Sequence, residues 1–280
     1  MSPHASVWPS RRTHPIAVGL ALLSLLAFTA GGAAGANSHA RGGARPTIVL
    51  EHGDWADASS WTSVMRILQD EGYTVVAPPN LLRGPDTDAP YLASYLKSIS
   101  GPIVLVAHSY GGFVATNAAT GNPNVKALVY IDAFAPAQGE TAGDLVARGH
   151  SCVGPDALNV VPLDNGADLY LRWGANASYP GFMKCFANGL DRKQAALLAA
   201  QQRPAAPAQF TEPSGPPAWK TIPSWSLIGT EDHVIPAALE QEMDTRAGAH
   251  ITRIKAGHLS LITNPGDVTK VILAAVAATS

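Results

Sequence analysis

The stretch "IVLVAHSYGGFVATNAAT", Ile103 to Thr120, joins two different periodicities at one residue. Residues 103–107 form a short, continuous apolar run with β-branched members, the pattern of a strand buried on both faces. Residues 111–119 are small and follow helical spacing. His108, Ser109 and Tyr110 stand between them, leaving no length for a loop. A buried strand that turns directly into a helix needs that helix across its face and another strand beyond. That unit is a parallel β-α-β crossover, and it restricts the chain to an α/β architecture.

The same alternation recurs. Strand patterns fall at 47–51, 74–77, 103–107, 127–131, 224–228 and 250–254, and helix patterns at 59–71, 89–98, 111–119 and 237–247. Pro265-Gly266-Asp267 opens a last helix that runs to about Ala278. These predict a mostly parallel sheet of about six strands flanked by helices. With 280 residues and 46% hydrophobic content, the chain can bury one sizeable core, so a single domain is expected over 46–280.

One interval, about 134–223, breaks the rhythm. It has no clean strand pattern, but it carries Trp173, Tyr179, Phe182, Met183 and Phe186, a helix-like 192–202, and the proline-rich "RPAAPAQFTEPSGPPAW". Aromatic content of this kind predicts a folded cap inserted between two strands rather than a linker.

The N-terminus reads as an export signal over 1–36. Arg11 and Arg12 precede an apolar run, and Ala34-Gly35-Ala36 is an A-x-A-like cleavage site. Ser10-Arg11-Arg12 points to twin-arginine export, although His14-Pro15 stands where an apolar pair usually follows. Residues 37–45 then form a flexible leader, and the mature chain, secreted to an extracellular or periplasmic space, has no stable membrane span. In that oxidising setting Cys152 and Cys185, the only cysteines, are expected to pair, with two separate buried thiols as the alternative. A formal net charge of −2, with 14% charged residues and no Lys/Arg stripe, excludes a nucleic-acid partner.

The lone hydroxyl of Ser109 is the candidate for chemistry. At a sharp strand-to-helix turn its Oγ stands above the carboxyl edge of the sheet, with Ala107 and Gly111 as small neighbours. The new helix aims N–H groups at any anion formed beside it. A serine N-cap of an ordinary helix is the competing reading. What decides between them is the presence of partners, in the order serine, acid, histidine, at later strand ends. "SWSLIGTEDHVIP" ends one strand with Asp232, and "ITRIKAGHLSLITNP" ends the next with His258. Asp132, in "ALVYIDAFAP", also follows a strand and remains an alternative acid. After the first strand, His52-Gly53 allows a tight turn, so the backbone N–H groups of Asp54 and Tyr110 are candidate oxyanion donors. Asp86 and Asp88 read as turn and capping residues rather than metal ligands, and no phosphate-binding, dinucleotide or HExxH motif is present.

Together, "HGDWADASSW", "GYTVVAPPNLLRG", "VAHSYGG", "GTEDHVIP" and "AGHLSLITNP" resemble the α/β-hydrolase superfamily over nearly all of 46–278. The likeness is to bacterial esterase-like hydrolases related to the plant methylesterase and hydroxynitrile-lyase branch. It implies an α/β-hydrolase fold, Ser109 as nucleophile, Asp232 as acid, His258 as base, Asp54 and Tyr110 as oxyanion donors, a cap over the pocket, and no cofactor or metal. The plant lyases carry a lysine after the histidine, where this chain has Leu259, which speaks for ester hydrolysis. The expected function is a secreted serine esterase acting on a small-molecule, fairly apolar ester. The alternatives are a lactonase, amidase or perhydrolase using the same residues, or a hydrolase-shaped binding protein with vestigial catalysis.

Overall fold

A computed structural model of the protein describes residues 45–279. The export signal at 1–36 and all but the last residue of the 37–45 leader lie outside the described residues.

Among the described residues there are eight strands and ten α-helices. The strands are β1 (Thr47–Glu51), β2 (Val75–Val76), β3 (Ile103–Ser109), β4 (Val125–Ala133), β5 (Leu158–Leu163), β6 (Gly166–Leu171), β7 (Ser224–Gly229) and β8 (His250–Ile254). The helices are α1 (Thr62–Asp70), α2 (Pro85–Lys97), α3 (Gly111–Ala118), α4 (Ala142–Arg148), α5 (Phe182–Cys185), α6 (Arg192–Ala200), α7 (Ala208–Thr211), α8 (Ala237–Arg246), α9 (Ser260–Thr263) and α10 (Pro265–Thr279). Six of the strands make one sheet, in the order β2-β1-β3-β4-β7-β8. Every pairing in it is parallel. The expected sheet of about six strands is therefore present, at nearly the expected positions.

Strand order dictates where a site can form. From β1 the chain moves outward to β2, whereas from β3 it moves the other way to β4. Right-handed crossovers then put α1 on one face and α3 on the other, and a crevice opens where the two connections part. That crevice lies between the carboxyl ends of β1 and β3, which pair from Thr47–Ile103 to Glu51–Ala107. Both strands are apolar because the sheet is covered on both faces; every residue of β3 is buried. On one face α3 packs against α2 and β3, and on the other α10 packs against α1 and β4.

The approach of α3 is unusually close. A Cβ added to Gly112 would lie 2.1 Å from the Phe134 carbonyl oxygen, a backbone atom that cannot swing aside. Glycine is required there by space alone, since no positive φ is recorded for it.

Between β4 and β7 lie α4 to α7 and an antiparallel hairpin of β5 and β6. The hairpin corrects the expectation that this interval contains no clean strand. β5 is largely exposed, with Val160 and Leu163 near half accessible, so it lacks the buried alternation that marks a strand. The usable signal was the Asp164-Asn165-Gly166 turn, because residues of this type supply the φ > 0 that tight hairpins need. Cys152 and Cys185 form a disulfide with a Cα–Cα distance of 5.8 Å, stapling the start of this interval to α5.

Two consequences are measurable. Gly112→Ala is expected to cost about 2 kcal/mol or more, because overpacking against fixed backbone strains both partners. Chemical denaturation would show it as a lower midpoint, and an unchanged midpoint would contradict the packing described. Replacing both cysteines by alanine is expected to remove about 3–4 kcal/mol, from the closure of a 33-residue loop. Equal urea midpoints for oxidised and cysteine-free protein would refute that.

Candidate active site

β3 ends in Ser109 at φ 54°, the left-handed region that a non-glycine residue occupies only under constraint. Tyr110 then enters helical geometry and α3 begins. This sharp reversal turns Ser109 toward the crevice. Ser109 Oγ lies 2.9 Å from His258 Nε2, and His258 Nδ1 lies 2.7 Å from Asp232 Oδ2. With Nδ1–H donating to the carboxylate, Nε2 is left as an acceptor for the serine hydroxyl. The other Asp232 oxygen accepts the backbone N–H groups of Val234 at 2.7 Å and Ile235 at 3.0 Å. Three residues from three separate loops thus form one hydrogen-bonded chain, and all three are buried.

Two further histidines hold this chain in place. His108 donates Nε2–H to the His258 carbonyl at 2.8 Å, and the two rings lie 4.7 Å apart. Burial pushes His108 well below the usual imidazole range, so it stays neutral. His52 donates Nδ1–H to the Gly53 carbonyl at 2.9 Å and accepts the Asn80 N–H at Nε2. Burial lowers its pKa to about 4, and as a neutral ring it pins the turn after β1.

That turn passes directly over the serine. A Cβ at Gly53 would sit 2.5 Å from Ser109 Cβ and 3.2 Å from its Oγ, so only glycine fits. The next N–H is that of Asp54, and the N–H after Ser109 is that of Tyr110. Among the described residues, neither is recorded donating to a protein acceptor. The Tyr110 side chain is anchored elsewhere, its hydroxyl donating to Asp88 at 2.8 Å. Asp88 also accepts Arg83 N–H and Gly84 N–H, the capping work expected of it. The Asp54 carboxyl is buried, and burial, then the nearby Asp88, holds it well above the usual carboxylate range.

Asp132 is not bonded to His258. Its Oδ1 accepts Gly229 N–H at 2.8 Å, and its Oδ2 accepts the Ser260 N–H and hydroxyl. It ties β4 to the loops bearing Asp232 and His258. Sequence reasoning missed its neighbour Glu240, on α8. One oxygen each of Asp132, Asp232 and Glu240 lies within 4.8 Å of the others, all buried. A metal ion is one way to reconcile three such carboxyls, but Asp132 and Asp232 already accept N–H and O–H donors. Glu240 Oε1 has no recorded partner. Burial, then Asp232, Asp132 and Asp244, holds Glu240 well above the usual range. Nothing in "ALEQEMDTR" distinguishes Glu240 from the exposed Glu242 two residues on; only its burial does.

A cavity of about 700 Å³ lies within the 134–223 interval, lined by residues including Val146, Val153, Leu158, Leu169, Pro207 and Phe210. Its walls do not include Ser109 or His258. Trp55 connects the two regions, donating Nε1–H to the Leu169 carbonyl at 3.0 Å and lying 6.4 Å from the Phe210 ring. Trp55 also has a left-handed φ of 56°.

Sheet, elbow and hydrogen-bonded chain define the class of an α/β hydrolase. The chain belongs to the alpha/beta hydrolase family, whose model matches residues 48–271. A carbendazim hydrolyzing esterase from Nocardioides sp. (strain SG-4G) is 29% identical over 110 residues, covering 34% of this chain. The match spans 44% of that relative's length. A pyrethroid hydrolase from Sphingobium faniae JZ-2 has a TM-score of 0.66 at 20% identity, covering 83% of this chain and 98% of that one. A methylesterase from Arabidopsis has a TM-score of 0.66 at 15% identity, with 83% and 99% covered. At these identities the solved structures share the fold, and the resemblance to the plant branch holds at that level.

The buried carboxyls predict a pH effect. Burial raises Asp244 to about 7, against a small opposing pull from Ser226. Its folded pKa is above its unfolded value near 3.9, so the folded state binds the extra proton between them. The stability this contributes is full below about pH 4 and is lost as pH rises through about 7. The buried His52 and His108 act oppositely, so the readout is a difference. The Tm of Asp244→Asn minus that of wild type is expected to grow from pH 5 to pH 8; a constant difference would contradict the assignment.

Proposed function

We propose that the protein is a serine hydrolase of carboxylic esters of small to medium, fairly apolar acids or alcohols. The observation that carries this reading is the chain Ser109–His258–Asp232, with Gly53, the residue before Asp54, packed against Ser109. Ser109 Oγ attacks the ester carbonyl carbon while its proton passes to His258 Nε2. The carbonyl oxygen becomes an oxyanion and takes hydrogen bonds from the Asp54 and Tyr110 N–H groups. The intermediate collapses, the C–O bond to the alcohol breaks, and the leaving oxygen takes the proton back from His258. Water then repeats the sequence on the acyl-serine, releasing the acid. Asp232 holds the histidine tautomer and stabilises the imidazolium. No cofactor takes part in any of these steps.

Family membership and the relatives' names, an esterase and hydrolases, support this chemistry. Buried Leu259 follows His258 and offers no second proton-bearing group, which favours ester hydrolysis over cyanohydrin cleavage. Residues 134–223 act as the cap, and its aromatic side chains, with Phe186 lying 5.4 Å from the His258 ring, match an apolar substrate. The disulfide, the N-terminal sequence features and the absence, among the described residues, of any helix able to cross a membrane support export to an oxidising compartment.

Loss of the nucleophile separates this reading from a binding protein of the same shape. Ser109→Ala is expected to lower kcat/KM on a p-nitrophenyl ester by several orders of magnitude with Tm nearly unchanged. Retention of more than about a tenth of the activity would overturn it. The acid has its own test. Asp232→Asn is expected to cost about 10⁴ in kcat, and Asp132→Asn much less, on the same ester. The reverse ranking would assign the acid to β4.

A further inference from the structure

One polar pair at the site is left unused by these steps. Gln209, on α7, is fully buried, and neither its Oε1 nor its Nε2 has a hydrogen-bond partner among the described residues. The Asp54 Oδ1 atom is likewise buried and unpartnered. Gln209 faces the Asp54 carboxyl without closing a hydrogen bond of ordinary length. Buried polar groups almost always find good partners, so a pair held only by one long hydrogen bond, with the remaining Gln209 amide atom unpaired, calls for an explanation.

Their place supplies it. Asp54 follows Gly53, which touches Ser109, so its side chain leaves the backbone one residue from the nucleophile. α7 is held against this region by Ala206 N–H on the Leu82 carbonyl at 3.0 Å and Asp86 N–H on Glu212 Oε2 at 3.0 Å. Phe210, next to Gln209, lines the cavity of about 700 Å³ and lies beside Trp55. The pair therefore stands between the oxyanion donors and the apolar cavity.

We propose that Asp54 and Gln209 together bind a hydroxyl or N–H group carried on the carbon next to the scissile carbonyl. This rests on the ester-hydrolase reading and names the substrate class within it. The Gln209 amide both donates and accepts; the Asp54 carboxyl, whose pKa burial raises, accepts and, when it holds a proton, also donates. The Asp88 carboxyl, the nearby charge that raises Asp54, disfavours a carboxylate at this position. Specificity follows from the cost of failure: an apolar group placed here leaves buried donors and acceptors unpaired.

The test compares phenyl lactate with phenyl isobutyrate, which differ by a hydroxyl for a methyl on that carbon. The hydroxyl also changes intrinsic ester reactivity, so the readout is the ratio of the two kcat/KM values within each enzyme. We expect Gln209→Leu to lower the lactate-to-isobutyrate ratio about tenfold. Asp54→Leu lowers it similarly, while Asp54→Asn, which keeps a donor and an acceptor, holds it within about threefold. A ratio unchanged in both leucine variants means that water alone fills the place, and overturns the proposal. Either leucine variant suffices if the other fails to fold. Wild-type protein that hydrolyses neither ester overturns the ester-hydrolase reading, and this inference with it.

Discussion

The site depends on how closely two stretches of backbone pass at the carboxyl edge of the sheet. The turn after β1 crosses the elbow after β3 so tightly that Gly53 and Ser109 leave no space for another methyl group. This contact puts the Asp54 N–H and Tyr110 N–H beside the same serine hydroxyl. It exists because strand order reverses between β1 and β3, which sends the two connections to opposite faces. The geometry is held under strain. Ser109, Asp132 and Trp55 all have left-handed φ values, each at or just past a strand end. Such conformations persist only where surroundings over-determine them, as when Phe134 N–H clamps the Ser109 carbonyl at 3.2 Å.

Burial then determines the charge. Around the site Glu51, Asp54, Asp132 and Glu240 are held well above the usual carboxylate range, chiefly by desolvation. His52 and His108 are held neutral by the same cause. Low dielectric makes each remaining charge more influential, so these raised acids and lowered histidines set the electrostatics around Ser109 and His258. The two aspartates differ in partner rather than in burial. Asp232 gives one oxygen to His258, while Asp132 gives both to backbone and Ser260.

Much of this was legible in the sequence because it is carried by periodicity and punctuation. Short apolar strand patterns followed by glycine-containing turns locate Ser109, Asp232 and His258 at one edge without any knowledge of contacts. What stayed hidden is set by tertiary approach. Glu240 and Asp244 lie in a helix whose letters look solvated, and Gln209 lies in a proline-rich stretch that reads as loop. The β5–β6 hairpin escaped because its outer strand is exposed, so the alternation that marks a strand was never required of it. His52 and His108 were visible only as neighbours of glycine and serine. Their hydrogen bonds join residues up to 150 positions apart, and a spacing argument cannot reach that far.

The pairing of β4 with β7 has a kinetic consequence. Leu128 lies opposite Ser224, so this ladder closes only after the whole intervening segment has been brought back on itself. Strands β1 to β4 come from one continuous half of the chain and can assemble early, whereas β7, β8 and α10 must dock onto them across that separation. The Cys152–Cys185 bridge does little to hasten this. Shortening the path by 33 residues reduces the loop-closure cost by well under about 1 kcal/mol, since that cost grows only as the logarithm of length. Ser109 belongs to the early half, and Asp232 and His258 to the late one. A refolding chain therefore acquires Ser109, the proposed nucleophile, before His258, the proposed base, and returning hydrolytic turnover marks the last docking event rather than the first collapse.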